Sequence, residues 1–216
     1  MTGPSDNAPR LASEVGPVLP FALIASGALG IALTTALEVL TAPYSAHVVE
    51  YPLNGAVHLL KILAITAFVA GMAGYVLRFR ERLGVIGSIA GGALAIGTFL
   101  AGPYNLAEVS LDGSLTAVAA NAQLQAIYAA QPWITLVSSV ALPAVLLGIV
   151  VFGIVALRRH LFPTWAPVFS LATIPIAFGA AILSFEAGLP VPHPPTWLFL
   201  GLAGYGVSGI ALRRSV

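Results

Sequence analysis

The chain lacks cysteine altogether, which excludes disulfides, thiolate metal sites and cysteine nucleophiles. Charge is nearly as scarce: Asp, Glu, Lys and Arg make up 8% of the 216 residues, against 58% for hydrophobic ones. Soluble domains carry about 25% charged residues. A soluble chain this apolar could not cover its own surface, so the solvent it implies is lipid. The net charge of +1 leaves no electrostatic footprint for nucleic acid, and the lipid bilayer is the one partner that composition names. Catalytic signatures are missing as well: no G-x-S-x-G, no Walker A, no G-x-G-x-x-G after a strand, no acidic pair at fixed helical spacing. No cofactor is implied.

What the chain does have is long apolar runs. Residues 54–82 carry the most information: a turn pair, Asn54-Gly55, an apolar run to Leu77, then the basic knot Arg78-Phe79-Arg80-Glu81-Arg82. At about 1.5 Å per residue the run reaches about 34 Å, enough to cross a hydrocarbon core of about 30 Å. Taken in order, the hydropathy pattern predicts spans at 19–40, 55–77, 83–101, 133–157, 166–185 and 196–212. The expected fold is therefore an all-α polytopic membrane protein with about six transmembrane helices in one domain over 18–216, preceded by a polar, mobile tail at 1–17. A cleaved signal peptide is the rival reading of the first span. Its apolar core is too long, its basic flank is only Arg10, and no clean A-x-A site follows. Residues 102–131 are read as the longest loop, with a short surface helix over 115–128.

Orientation follows from charge. Alternate spans end in Arg78/Arg80/Arg82, Arg158/Arg159 and Arg213/Arg214, whereas the opposite connectors hold Glu50, Glu108, Asp112 and Glu186. The positive-inside rule places the arginines and both termini in the cytoplasm, in a plasma membrane of bacterial type. Resemblances among the Arg-ended segments, such as 153–159 and 209–214, hint at a repeat but follow equally from topology.

Small residues mark packing seams. Gly84, Gly87, Gly91 and Ala95 fall along one stripe of the third span, which is expected to be central and tightly packed. Pro143 and Pro175 sit near mid-span, freeing the carbonyls of Ser139 and Leu171; Ser138, Ser139, Ser170 and Thr173 are near enough to help satisfy or bend those turns.

The ionisable groups at membrane depth are Glu38, His58, Lys61 and Glu186, candidates for a ligand or proton site. Lys61 lies about 9 Å inside its helix at 1.5 Å per residue. Three arrangements are open: Lys61 snorkels outward, it forms a buried structural pair with Glu38, or the group lines a functional polar pocket. His47, Glu50 and His193 could extend such a pocket. No H-x-x-x-H or H-E-x-x-H spacing supports a metal, and only His58 lies clearly inside a span, which argues against haem. Two function classes remain: a non-enzymatic accessory or assembly component whose stripes bind partner membrane proteins or a second copy of the chain, and a small transporter or channel with an outer-facing polar site. An intramembrane enzyme is a distant third.

Overall fold

A computed structural model describes residues 8–41, 54–109, 117–187 and 194–214. His47, Glu50, Asp112 and His193 lie outside them. Every regular element among the described residues is an α-helix: α1 (Ala8–Thr41), α2 (Asn54–Leu100), α3 (Gly102–Val109), α4 (Ala117–Ala130), α5 (Pro132–Arg158), α6 (Trp165–Ala187) and α7 (Pro194–Arg214). Five of the helical stretches are long and apolar enough to cross a membrane. One of these, α2, is folded in two. Its helical backbone breaks at Phe79 (φ −109°, ψ 18°) and at Gly84 (φ 65°, ψ −176°), and the arms on either side, 54–78 and 85–100, run back along each other. His58 meets Asn105, just beyond the second arm, at one end, and Gly91 sits against Val76 toward the other.

The reversal has a local cause. Gly84 adopts a positive φ that a side chain would strain. The Arg159 guanidinium lies where a Cβ on Gly84 would go, and its Nη1 donates to the Arg82 carbonyl at 3.0 Å. The last residue of the basic knot is thus tied to the end of α5. That end is itself a Schellman turn: Leu161 N–H donates to Ala156 O (3.1 Å) and His160 N–H to Leu157 O (3.3 Å). His160 occupies the left-handed position with φ 50°. Glycine usually takes that place, and a side chain there costs about 1 kcal/mol.

The long helices close into a ring, with α1 on α2, α2 on α5, α5 on α6, α6 on α7, and α7 back on α1. Each turns one stripe inward. In the first arm of α2 the inward residues are His58, Lys61, Ile65, Phe68, Met72 and Tyr75, while Leu59, Leu60, Leu63 and Leu77 point away from the protein. The alternating steps of three and four are those of a helix packed along one seam. Toward the arginine-bearing end the core becomes aromatic. Tyr205 contacts Phe152 and Phe162 at ring separations of 5.2 and 4.9 Å. Tyr75 contacts Phe79 at 4.8 Å and Phe21 at 5.4 Å. These rings join α1, α2, α5, α7 and the α5–α6 link.

Glycine sets how closely the helices approach. A methyl group on Gly27 would lie on the backbone of Ala64 and Phe68, and one on Gly71 on that of Pro20 and Ile24, so α1 and the first arm of α2 touch backbone to backbone. Gly97 does the same against Ala141 and Val145 of α5, and Gly206 against Phe21 and Ala25 of α1. Of the anticipated stripe, Gly87 faces Val155, Gly91 faces Val76 and Phe152, and Ala95 is buried. Gly84 belongs to the turn instead.

One expectation needs correction. The stretch read as a long loop begins with a helix, α3, since a proline such as Pro103 is tolerated in the first turn; the short helix expected within that stretch over 115–128 is present as α4. The helix of α1 extends back to Ala8, and Pro9 stands in its first turn, where a missing N–H costs nothing. Near Pro143 and Pro175, Ser139 Oγ donates to Leu136 O and Thr173 Oγ1 to Ser170 O, each at 2.7 Å. Neither hydroxyl reaches the carbonyl freed by the proline.

Close backbone contact makes a graded test. Gly27→Leu, which meets backbone, is expected to lower the melting temperature of the detergent-solubilised protein more than Gly91→Leu, which meets side chains. Gly179→Leu, with nothing within 4 Å, should leave it unchanged. Overpacking costs about 1–3 kcal/mol. Equal melting temperatures for Gly27→Leu and the wild type would show that α1 and α2 do not touch as described.

Candidate functional site

The anomaly in the first arm of α2 is resolved by its phase. His58 and Lys61 are in register with the inward stripe, so the helix that buries Ile65 and Phe68 must also bury them. They are 5% and 7% exposed. The desolvated ammonium requires a partner, and α1 supplies one. Lys61 Nζ donates to Glu38 Oε1, so Lys61 does not snorkel. His58 joins the same oxygen, its Nε2 lying 3.4 Å from Glu38 Oε1.

The ring of His58 is oriented from the other side by Asn105. Asn105 Nδ2 donates to Ala101 O at 2.8 Å, which turns Oδ1 toward His58, 3.1 Å from Nδ1. An amide oxygen only accepts, so Nδ1 carries the hydrogen. A second proton, on Nε2, would then face Glu38. Lysine and histidine hold the carboxylate, and the Asn105 amide holds the histidine, so α1, α2 and α3 meet at this point, with the Glu38 side chain 22% exposed.

That exposure opens onto a half-open cavity of about 440 Å³ bordered by α1, α2, α3, α5 and α7. Glu38, Lys61, Thr35, Thr98 and Asn105 form its polar lining; Val145 of α5 and Leu198 and Phe199 of α7 are among its apolar walls. The hydroxyls of Thr35 and Thr98 donate to Ile31 O (2.8 Å) and Leu94 O (2.7 Å), leaving their lone pairs to accept from a guest. The chamber combines an anion, a cation, an amide and hydroxyls in reach of one another, next to an apolar surface. Such a site can bind a small molecule with charged and apolar parts, or hold a proton between His58 and Glu38.

Of the four candidates read from sequence, the fold brings together Glu38, His58 and Lys61. Glu186 is on the last turn of α6, a helix that packs against α5 and α7. Among the described residues no group of three His, Asp or Glu is placed to hold a metal. Asn105, Thr35 and Thr98 escaped sequence reading, although a signal was present. Thr98 and Asn105 are seven residues apart, two turns along one face, but Gly102-Pro103 between them read as the start of a loop. Comparison with protein-family models, with curated proteins and with solved structures gave no match.

The Glu38–Lys61 contact can be measured as a coupling energy. Lys61→Met strands a buried carboxylate and is expected to destabilise by about 3–5 kcal/mol, toward the lower end because His58 remains beside Glu38. Adding Glu38→Gln should restore much of that loss. A double-mutant cycle by thermal or denaturant unfolding reads the coupling directly, and a value of zero within error would dissolve the pair.

Proposed function

We propose that this chain is a six-span membrane protein that binds a small molecule in the chamber behind Glu38 and Lys61 and exchanges it with the outer side. One observation carries the reading: a buried charged pair forms part of the wall of a cavity instead of being sealed by packing. An ion pair that serves only to fix helix register needs a partner but no cavity beside it. Charged groups at membrane depth that border a cavity are characteristic of substrate and proton paths. The lining specifies the guest by complementarity. A carboxylate or other anionic group suits Lys61, an ammonium suits Glu38, and the walls from α5 and α7 accommodate an apolar part, so a small zwitterion with an apolar substituent fits both ends.

Membrane placement rests on the outward faces. Leu59, Leu60, Leu63, Val85, Ile86 and Ile89 are all exposed, which suits contact with lipid and not with water. The two arms of α2 make the count six, and the positive-inside rule sets the turn at 78–84 in the cytoplasm and the chamber toward the outside. An accessory or assembly role is supported less well. It calls for small-residue stripes on outward faces, and the glycines of closest approach lie in seams within the chain.

Two measurements test these statements separately. The chain has no native cysteine, so Gln123→Cys on α4 is expected to react with an impermeant thiol reagent on sealed cells, and Glu81→Cys at the turn only after permeabilisation; reaction of both from outside would overturn the orientation. For the chamber, amino acids, simple amines and simple carboxylates are screened by thermal shift on purified protein. At least one class should raise the melting temperature of the wild type and fail to do so for Ala141→Phe, which fills the cavity. No shift with any class, together with a Thr98→Cys variant inert to charged thiol reagents, would refute a ligand chamber.

A further inference from the structure

A second cavity, of about 640 Å³, lies at the opposite end of the bundle, between α1, the turn of α2, the α5–α6 link and the end of α7. Its composition differs from that of the first. The floor is aromatic and aliphatic, with Phe21, Tyr75, Phe79 and Phe162 contributing rings, and the polar residues that line it include Arg82 and His160. Among the described residues that line it there is no carboxylate; Glu81, the neighbouring acid in the chain, is exposed.

We propose that this cleft binds the head group of an anionic phospholipid, with the phosphate between Arg82 and His160 and the first part of the acyl chains over the aromatic floor. Three observations converge. The cleft is amphipathic in the sense of a lipid, with a guanidinium and an imidazole beside rings, and its volume is in the range of about 300–1,000 Å³ usual for small-molecule sites. It sits at the end of the bundle where Arg78, Arg80, Arg158 and Arg159 are exposed, the level of the head groups in the membrane placement above, on which this inference rests. Basic pockets between helices at that level suit anionic head groups. His160, finally, stands in the left-handed position of a Schellman turn that glycine fills better. The backbone there has no use for an imidazole, whereas the cleft does.

The occupant is a lipid and not a free phosphate, because inorganic phosphate would leave the aromatic floor without a partner. Arg82 is suited to the phosphate, since its own carbonyl is already held by Arg159 and its guanidinium can make a two-pronged contact.

The test uses the full chain in neutral detergent, with retention of added phosphatidylglycerol or phosphatidylcholine followed by native mass spectrometry. Phosphatidylglycerol should be retained and phosphatidylcholine displaced. Arg82→Gln should weaken phosphatidylglycerol retention by about fivefold, the effect of one basic residue near an anionic surface, and Arg82→Lys should recover part of it. His160→Gly, which relaxes the turn and should fold at least as stably as the wild type, should weaken retention as well. Arg78→Gln, which removes the same charge outside the cleft, should have little effect. Equal losses for Arg78→Gln and Arg82→Gln would mean diffuse attraction to a basic surface and would overturn the site. So would phosphatidylcholine retained as well as phosphatidylglycerol, or displacement of the lipid by millimolar inorganic phosphate, which would identify free phosphate as the ligand. Lipid binding in detergent does not depend on orientation, so its failure is separable from that of the topology.

Discussion

The ammonium of Lys61 has to be neutralised inside the helix ring, and much of the architecture at that end follows from this. Its helix cannot turn it outward without also exposing Ile65, Phe68 and Met72, which share its face. The acid must therefore come to it, and Glu38 on α1 does. The carboxylate then holds His58, and His58 is steadied by Asn105 from α3. One desolvated cation thus fixes three helices relative to one another, and its partners border a cavity. In the proposed function that cavity is where a guest with charged groups competes with, or bridges, the Glu38–Lys61 contact.

The opposite end is organised by different forces. Aromatic rings from α1, α2, α5, α7 and the α5–α6 link pack on one another, and Arg159 ties the α2 turn to the end of α5. Arg159 satisfies a carbonyl at a chain reversal and lies against Gly84, which among the described residues is the glycine that adopts a left-handed backbone. Between the two ends, glycines such as Gly27, Gly71 and Gly97 let backbones touch. Dispersion contacts act only at short range, and this close approach lets helices with apolar surfaces on every side pack specifically.

Much of the helical pattern is legible in the sequence because it is local. A run of apolar residues long enough to cross a bilayer, bounded by Arg or by Pro and Gly, predicts a helix whatever its neighbours do, and α5, α6 and α7 lie within one or two residues of those limits. A local signal misled where it was ambiguous: Gly102-Pro103 reads as a loop but begins a new helix. Phase was the signal left unused: His58 and Lys61 are in step with Ile65, Phe68 and Met72, which already implies an inward lysine.

That the chain is helical and apolar, that it folds back at the basic knot, and that Lys61 needs a partner are all dictated locally. Each of these depends on residues within a few turns of one another. Which acid answers Lys61, that Asn105 orients His58, and that a cavity remains beside them were decided by the tertiary structure. Those facts depend on how far α5 and α7 stand from α1 and α2, and that distance is set by the sum of many side-chain and glycine contacts across the ring. No single segment encodes it.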